Sequence, residues 1–397
     1  MDDSDYRTQV FADIGQIDAA AWNELVAVDA DANPFLRHAF LCALQSSGCA
    51  DADTGWLAQF VTLWRGSKLA AAVPLYAKGH SYGEYVFDWA WADAHERAGI
   101  SYYPKWLVAV PFTPVAGTRL LALDESARQA ALATLLEIAG ANDLSSLHVL
   151  YATARQIQAM ERAGMLVRTT IQYHWRNRAY PDFAAFLSAL TQPKRKKIRA
   201  ERRKVLEEGI TLDRRVGSAI TAQDWDFFLR CYESTYANHC ATPYLNRSFF
   251  ATIAAQMPEN LLLVRALRDG RLVASALGIF DRERSALYGR YWGAVEPVSC
   301  LHFECCYYQM IEFAIEQGLQ VFEGGAQGSH KIARGLDPVA TFSAHWLRDR
   351  RLHGAVARFV QREGVTVIAA MDELSEHRAL REHRPALSAA SEDMDRC

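Results

Sequence analysis

Several signatures that would place the chain in a special class are missing. No apolar run approaches the roughly 18 residues needed to cross a bilayer. The first residues, Met-Asp-Asp-Ser-Asp, form neither the basic n-region nor the apolar h-region of a secretory signal. The sequence therefore predicts a cytoplasmic protein without a membrane span.

Metal-site and disulfide spacings are also missing. The chain has 8 cysteines and none of them forms a CxxC pair, and a cytoplasmic location favours reduced thiols. There is no HExxH motif, and His302 and Glu304 lie two positions apart at a predicted helix start, so they face different directions. We therefore expect no metal and no cofactor apart from the donor substrate.

Length and element order predict two halves. The 397 residues exceed what a single core usually holds. Residues 8–180 and 181–385 repeat one order: strand, two helices, β-meander, helix, strand, helix. The meander of the second half contains Asp269-Gly270 between apolar runs, a strong hairpin signal. We expect an α/β (α+β) fold with one domain in each half and a disordered tail at 386–397. Tyr85–Trp89 is predicted as a strand and Val167–Trp175 as the closing strand of the first half. Two helices are predicted near the end, from His353 to Arg362 and from Val367 to about Arg378.

One charged segment stands out against a net charge of −3. A helix is predicted over 193–208, and its core from Lys194 to Lys204 carries eight basic residues and one acid. Such asymmetry points to a polyanion such as tRNA, although a solvated helix face explains it equally well, and no RRM, KH or zinc-knuckle signature is present. The candidate polyanion-binding residues are Lys194, Arg195, Lys196, Lys197, Arg199, Arg202, Arg203 and Lys204.

The densest group of reactive side chains lies at 321–335, after a short apolar strand. Glu323 and His330 are candidate bases, and Lys331 is a candidate for stabilising an oxyanion. The glycines let the backbone approach a ligand, and Arg334 suits a carboxylate or a phosphate. The predicted catalytic residues are thus Glu323, His330 and Lys331, and the predicted binding residues here are Gly324, Gly325, Gln327, Gly328 and Arg334.

Longer motifs in both halves carry a family resemblance. They are Tyr288–Gly293, Leu301–Tyr308, Phe322–Lys331 and Ile332–Gly335 in the second half, and Phe87–Asp93, Tyr102–Lys105, Val110–Pro114 and Gly117–Arg119 in the first. With them the sequence resembles the FemAB-like N-acyltransferases of the Fem/GNAT superfamily. The resemblance implies tandem GNAT-like domains, with mixed, mostly antiparallel sheets flanked by helices, and transfer of an acyl group to an amine. Further candidate substrate-binding residues are Arg290, Tyr291, His302, Glu304, Asp88, Tyr103 and Arg119.

One departure bears on the donor. GNAT domains that use acetyl-CoA have a glycine-rich turn after the fourth strand, where N–H groups hold the pyrophosphate. Here the connection 294–302 has no glycine and contains Glu296. We therefore favour aminoacyl-tRNA, the donor of characterised Fem enzymes in peptidoglycan synthesis, with a small-molecule or peptide amine as acceptor. An acyl-CoA or acyl-carrier donor is the alternative, and a non-catalytic polyanion- or peptide-binding module is a third possibility.

Overall fold

The computed structural model describes residues 6–326, 328–376 and 378–380. The helices are α1 (Ala19–Val28), α2 (His38–Ser46), α3 (Trp89–Arg97), α4 (Glu125–Ala141), α5 (Ala154–Arg162), α6 (Phe183–Ala189), α7 (Gln192–Glu207), α8 (Ala222–Asn238), α9 (Arg247–Gln256), α10 (Leu301–Phe303), α11 (Gln309–Glu316) and α12 (Arg350–Glu376). A π-helical segment, Glu304–Tyr308, joins α10 to α11. Within the described residues, none of the helices combines the length and apolar character needed to cross a membrane.

The strands form two sheets. They are β1 (Arg7–Phe11), β2 (Trp56–Ala58), β3 (Phe60–Arg65), β4 (Lys68–Val73), β5 (Leu75–Lys78), β6 (Lys105–Val108), β7 (Leu121–Ala122), β8 (Ser146–Ala152), β9 (Leu166–Arg176), β10 (Ile210–Val216), β11 (Leu261–Arg268), β12 (Arg271–Asp281), β13 (Ala286–Ala294), β14 (Val321–Glu323) and β15 (Asp337–Leu347). The small sheet has the order β1-β3-β4-β7. The large sheet has 11 strands in the order β10-β11-β12-β13-β14-β9-β15-β8-β6-β5-β2.

Local sequence signals explain many element ends. The carboxylate of Asp18 accepts from the N–H of Ala21 and starts α1, and Thr221 forms a capping box with Asp224 at α8. Asp269 and Gly270 both adopt positive φ, 50° and 74°, as a type I′ turn requires. The predicted hairpin between β11 and β12 is confirmed.

The large sheet is mixed and mostly antiparallel, as expected. Only two of its strand pairs run in parallel among the described residues, β13 with β14 and β6 with β8. In each half a meander thus ends in one parallel pair. This arrangement, repeated twice along the chain, confirms the predicted tandem GNAT-like fold.

Strands β9 and β15 connect the two halves. β15 comes from the second half of the sequence and pairs with both β8 and β9. β9 comes from the first half and also pairs with β14. Strands from both halves of the sequence therefore belong to one continuous sheet. The division into two domains, 8–180 and 181–385, stays a prediction.

Several local predictions were wrong. Tyr85–Trp89 was predicted as a strand but is irregular up to the start of α3. The carboxylates of Glu84, just before this segment, and of Asp88, within it, accept from buried Lys105 instead of joining a sheet. β15 was not predicted, and the two helices expected after His353 form the single helix α12. The predicted disordered tail, 386–397, lies outside the described residues.

Candidate active site

The site begins where two parallel strands separate. β13 and β14 pair from Ala286–Val321 to Tyr288–Glu323 and no further. Directly beyond, the register between β12 and β13 shifts, so that Arg290 has no partner on β12. A bulge of this kind bends its strand and redirects side chains, and here it turns β13 away from β14.

The opened gap contains a cavity of about 210 Å³. Its floor comes from the strands, and its roof comes from the helix that runs from α10 to α11. Polar groups in the wall come from three elements: Arg290 and Tyr291 of β13, His302 and Tyr307 of the helix, and Lys331 from the loop after β14. Four of these five residues were predicted from the sequence, and Tyr307 was not.

Lys331 is buried although it carries an amine. Its Nζ donates to the carbonyl of Gly325, 3.1 Å away, and the positive φ of Gly325, 79°, helps the loop turn back over the side chain. Burial lowers the pKa of Lys331 to about 8. The ammonium therefore predominates at neutral pH, and a substantial neutral fraction is present just above it.

Two histidines lie near Lys331. Burial, with help from neighbouring cations, lowers the pKa of His302 to about 4, so this wall residue is a neutral imidazole. His330 is exposed, and its Nε2 lies 3.2 Å from the hydroxyl of Tyr307. The ring is nevertheless partly covered, and this partial burial is the main cause that lowers the pKa of His330. The cations Arg334, Lys331 and Lys197 lower it further.

Glu323 lies on the other face of β14. Phe322 and Gly324 line the cavity, and side chains alternate along a strand, so Glu323 points away from it. Burial raises the pKa of this carboxyl to about 8. Its Oε2 is buried and has no hydrogen-bond partner among the described residues. The three predicted catalytic residues are thus divided, with Glu323 on one side of the strand and His330 and Lys331 on the other.

Arg119 and Arg290 lie close enough to Glu323 to lower its pKa against the effect of burial. Arg119 is fully committed, because its three guanidinium nitrogens donate to the carbonyls of Leu150, Thr118 and Val115. Arg290 donates to the carbonyl of Phe112, 2.7 Å away, and to the hydroxyl of Tyr291, while its buried Nε has no partner among the described residues. Arg290 is therefore the cation with free hydrogen-bonding capacity, and Arg119 holds the fold.

The first half has the same strand divergence, but it is filled. β6 and β8 pair in parallel up to Val108–Val149. The segment 109–119 then folds back, and the N–H of Gly117 donates to the carbonyl of Tyr151. The Nε–H of Arg119 donates to the carbonyl of Leu150 in the same region. The gap between β6 and β8 thus corresponds to the cavity of the second half, but segment 109–119 fills it.

Asp88 and Tyr103 belong to a separate buried cluster around Lys105. The ammonium of Lys105 donates to Asp88, to Glu84 and to the hydroxyl of Ser81, which also bonds Tyr103. Burial alone would raise the pKa of Asp88, but Lys105 holds it below its ordinary value. Neither residue lines the cavity, so the structure does not bring them together with Glu323 or Lys331.

Two other predicted binding residues are engaged in ion pairs with α7. Arg334 is buried, donates to Glu201 at 2.7 Å and lies over the ring of Phe303. Glu304 is buried against Arg202. These pairs use side chains that we had expected to bind substrate or a polyanion, and they explain how the basic helix is attached to the domain.

The remaining cations of α7 differ in exposure. Arg203 forms an exposed pair with Glu207, and Arg195 donates to a carbonyl of α6. Lys194 is partly buried. The residues that are exposed and form no ion pair with any described residue are called the exposed basic face: Lys196, Lys197, Arg199 and Lys204.

The backbone of the glycine-rich segment is less free than we expected. The N–H of Gly324 donates to the carbonyl of Tyr173, at 2.9 Å, so it is not available to an oxyanion. Gly328 has a φ of 95° and precedes the short 3-10 helix Ser329–Arg334. The predicted binding residue Gln327 lies outside the described residues. No group of His, Cys, Asp or Glu within the described part is placed to hold a metal.

Sequence reasoning missed two polar residues of β9. Gln172 and His174 are buried on the face that Glu323 shares. They alternate with Tyr173 and Trp175 in a strand that was predicted from the sequence. Two polar residues on one face of a buried strand were the available signal, since buried polar groups need partners.

This cavity and its divided polar groups lie in a fold that several solved structures share. FemX aligns with 12% identity and a TM-score of 0.55 over 88% of this chain and 100% of its own. The protein L-PGS from Bacillus licheniformis aligns with 11% identity and a TM-score of 0.53, over 87% of this chain and 97% of its own. The C-terminal DUF2156 domain of a protein described as a putative lysylphosphatidylglycerol synthetase, from Agrobacterium fabrum, aligns with 11% identity and a TM-score of 0.54. The alignment covers 87% of this chain and 95% of that domain. These likenesses show the fold.

The sequence then identifies the family. Residues 13–382 match the FemAB-like family, described by peptidoglycan biosynthesis and recognition. The chain belongs to this family, and it is an acyltransferase. No curated protein sequence matches it.

Proposed function

We propose that this protein forms an amide bond by moving an acyl group, favoured as aminoacyl from tRNA, onto an amine. The donor carbonyl lies in the gap between β13 and β14, and the amine arrives from the Glu323 side. The observation that carries the proposal is the open gap. A buried lysine lies on one side of β14, and on the other lies a carboxylate whose Oε2 has no hydrogen-bond partner in the described part of the chain.

The chemistry assigns one task to each face. The amine nitrogen attacks the donor carbonyl, and its proton passes to Glu323, whose pKa near 8 suits a base working close to neutral pH. The negative charge on the carbonyl oxygen is stabilised by the Lys331 ammonium. When the tetrahedral intermediate collapses, the bond to the donor oxygen breaks. Tyr307, beside His330, is placed to give that oxygen a proton.

The walls of the donor side disfavour acyl-CoA. Glu296, in the connection where a pyrophosphate would need N–H groups, is an acid paired with Arg268 at 2.8 Å. The hydroxyls of Thr235 and Ser234 on α8 already donate to the carbonyls of Trp292 and Ala294. A donor with amide groups that paired with this edge of β13 would have to displace them.

The position of α7 supports a nucleic-acid donor. Lys197 of the exposed basic face is close enough to His330 to lower its pKa. His330 in turn contacts Tyr307 in the cavity wall. A polyanion on this helix face would therefore have its end at the cavity. This supports aminoacyl-tRNA over an uncharged carrier.

For the acceptor, the family description favours an amine of a peptidoglycan precursor peptide. The structure described as a putative lysylphosphatidylglycerol synthetase suggests a second class, a lipid headgroup. We prefer the peptide amine because it agrees with the family description. A hydroxyl acceptor would also pass its proton to a base during attack, so Glu323 serves either class of acceptor.

The test compares donors directly. Purified protein is incubated with labelled aminoacyl-tRNAs or acyl-CoAs and with peptide amines, and the labelled amide is measured. Wild type should use aminoacyl-tRNA. Glu323→Gln should lose about 100-fold or more of kcat, and Lys331→Met a similar amount. Glu137→Gln, at an exposed position of α4, is the matched control. Turnover with acyl-CoA alone, or binding of tRNA without turnover, would contradict the proposal.

A further inference from the structure

Glu323 and His174 face each other across neighbouring strands. The antiparallel register of β14 and β9 makes them direct partners, and direct partners project from the same face of a sheet. The Nε2 of His174 lies 3.8 Å from the Oε2 of Glu323, the oxygen that has no hydrogen bond. A buried carboxylate oxygen without a donor is uncommon in folded proteins and needs an explanation.

Gln172 determines which nitrogen of His174 carries the proton. The amide nitrogen of Gln172 donates to the carbonyl of Pro114 at 2.8 Å, so its Oε1 faces the ring as an acceptor. That oxygen lies 3.2 Å from the Nε2 of His174, which must therefore be the N–H. Burial, followed by the cations Arg176 and Lys331, lowers the pKa of His174 to about 4, so the ring has this single N–H at neutral pH.

We propose that the Nε2–H of His174 is a two-position donor: it bonds Gln172 while Glu323 is protonated and turns to Glu323 once that carboxylate is ionised. The two acceptors lie 3.2 Å and 3.8 Å from the same nitrogen. A hydrogen bond to an ionised carboxylate is stronger than one to a neutral amide. A shift of about 1 Å brings the longer separation to an ordinary hydrogen-bond length.

None of the other groups near Glu323 is hydrogen-bonded to its Oε2 within the part of the chain that the structure describes. The groups that face Glu323 are Arg119, Arg290 and Tyr288. Arg119 is committed to three carbonyls, and Arg290 forms no salt bridge with the carboxylate and instead contacts Phe112. His174, whose Nε2 lies 3.8 Å from this oxygen, is the donor that we assign to the ionised form.

The role of His174 is positioning, and it rests on the proposed function of Glu323 as the base. By stabilising the buried oxygen of the carboxylate, the imidazole makes ionisation easier and leaves Oε1 to accept the proton of the amine. The first half of the sequence would in this way supply part of the catalytic environment of the second half, through β9.

A direct titration of Glu323 tests this inference. ¹³C-glutamate-labelled protein is titrated by NMR, and Glu323→Gln assigns the resonance. His174→Phe should raise the pKa of Glu323 by about one unit or more, because the ionised form loses a donor. His174→Gln, whose side-chain amide supplies an N–H, should restore most of the difference. An unchanged Glu323 pKa in His174→Phe, or in His174→Leu if the first variant does not fold, would overturn the inference.

Kinetics then separates this inference from the proposed function. In the transfer assay, the pH at which kcat/KM rises should move in parallel with the NMR titration of Glu323 across the same variants. If the titration moves while the rate profile does not, Glu323 is not the base and the proposed function fails, whereas the His174 contact stands. If neither moves, the His174 contact fails and the assignment of the base is untouched.

Discussion

Glu323→Gln should change stability in a way that depends strongly on pH. In the folded protein burial raises the carboxyl pKa from 4.5 to about 8. Between these values the folded state keeps a proton that the unfolded state has lost. The stability that this group contributes is therefore fully present below pH 4.5 and is lost as the pH rises through 8. Glutamine resembles the protonated acid and does not titrate.

The magnitude follows from the shift. A difference of roughly 3.5 units corresponds to ~5 kcal/mol, of which about 4 kcal/mol falls between pH 5 and pH 9. Because the Glu323 side chain keeps 13% exposure, this is an upper bound. We expect the variant and wild type to be similar in stability at pH 5. At pH 9 the glutamine variant should be the more stable by a few kcal/mol, although it is inactive.

The assay is urea unfolding followed by tryptophan fluorescence at several pH values, comparing free energies of unfolding. Other groups titrate in both proteins and cancel in the difference. Glu137→Gln provides the matched control, because an exposed glutamate should give a difference that hardly changes with pH. A Glu323→Gln difference that varies by less than about 1 kcal/mol between pH 5 and pH 9 would refute the description of Glu323 as a desolvated acid.

Three further outcomes follow from the structure. Arg334→Ala should reduce the free energy of unfolding by about 3–5 kcal/mol, since it leaves a buried partner unpaired, while Arg203→Ala in an exposed pair should change it little; denaturant titration measures both. Gly293→Ala should destabilise the protein by about 3 kcal/mol or more, because the added Cβ would lie 1.8 Å from a carbonyl oxygen of α8. At Gly289 the nearest atom to an added Cβ is 3.2 Å away, so Gly289→Ala should be tolerated. Equal melting temperatures of the two variants would contradict this packing. When the logarithm of the tRNA-binding constant is plotted against the logarithm of the salt concentration, replacing the exposed basic face by alanine should make the slope less steep by roughly 3. An unchanged slope would exclude these residues from the contact.

Much of the fold was predictable because it is encoded locally. Helix starts depend on a capping side chain and a few following N–H groups, as at Asp18 and Thr221. The Asp269-Gly270 turn depends on two residues that tolerate positive φ. The order of strands in the large sheet depends on contacts between distant segments, so the position of β15 between β8 and β9 could not be obtained from local patterns.

The sequence indicated which segment carries the site, but it did not indicate how the side chains of that segment are arranged in space. The residues at 321–335 supply Glu323 and Lys331, as expected, yet alternation along β14 points Glu323 away from the cavity that Lys331 lines. Arg334 and Glu304 looked like binding groups, but their partners are on α7, more than 90 residues earlier in the chain. Tertiary ion pairs of this kind leave no spacing signal in the sequence.

The central claim is that the gap between β13 and β14 holds the donor, and filling it is the most direct test. Cys306 lines this cavity, and Cys306→Phe would place a ring in a space of about 210 Å³. Cys42→Phe, on α2 and away from the gap, is the matched substitution. We expect Cys306→Phe to lose transfer from labelled aminoacyl-tRNA by about 100-fold or more while remaining folded, and Cys42→Phe to keep it. Full transfer by folded Cys306→Phe would contradict the account.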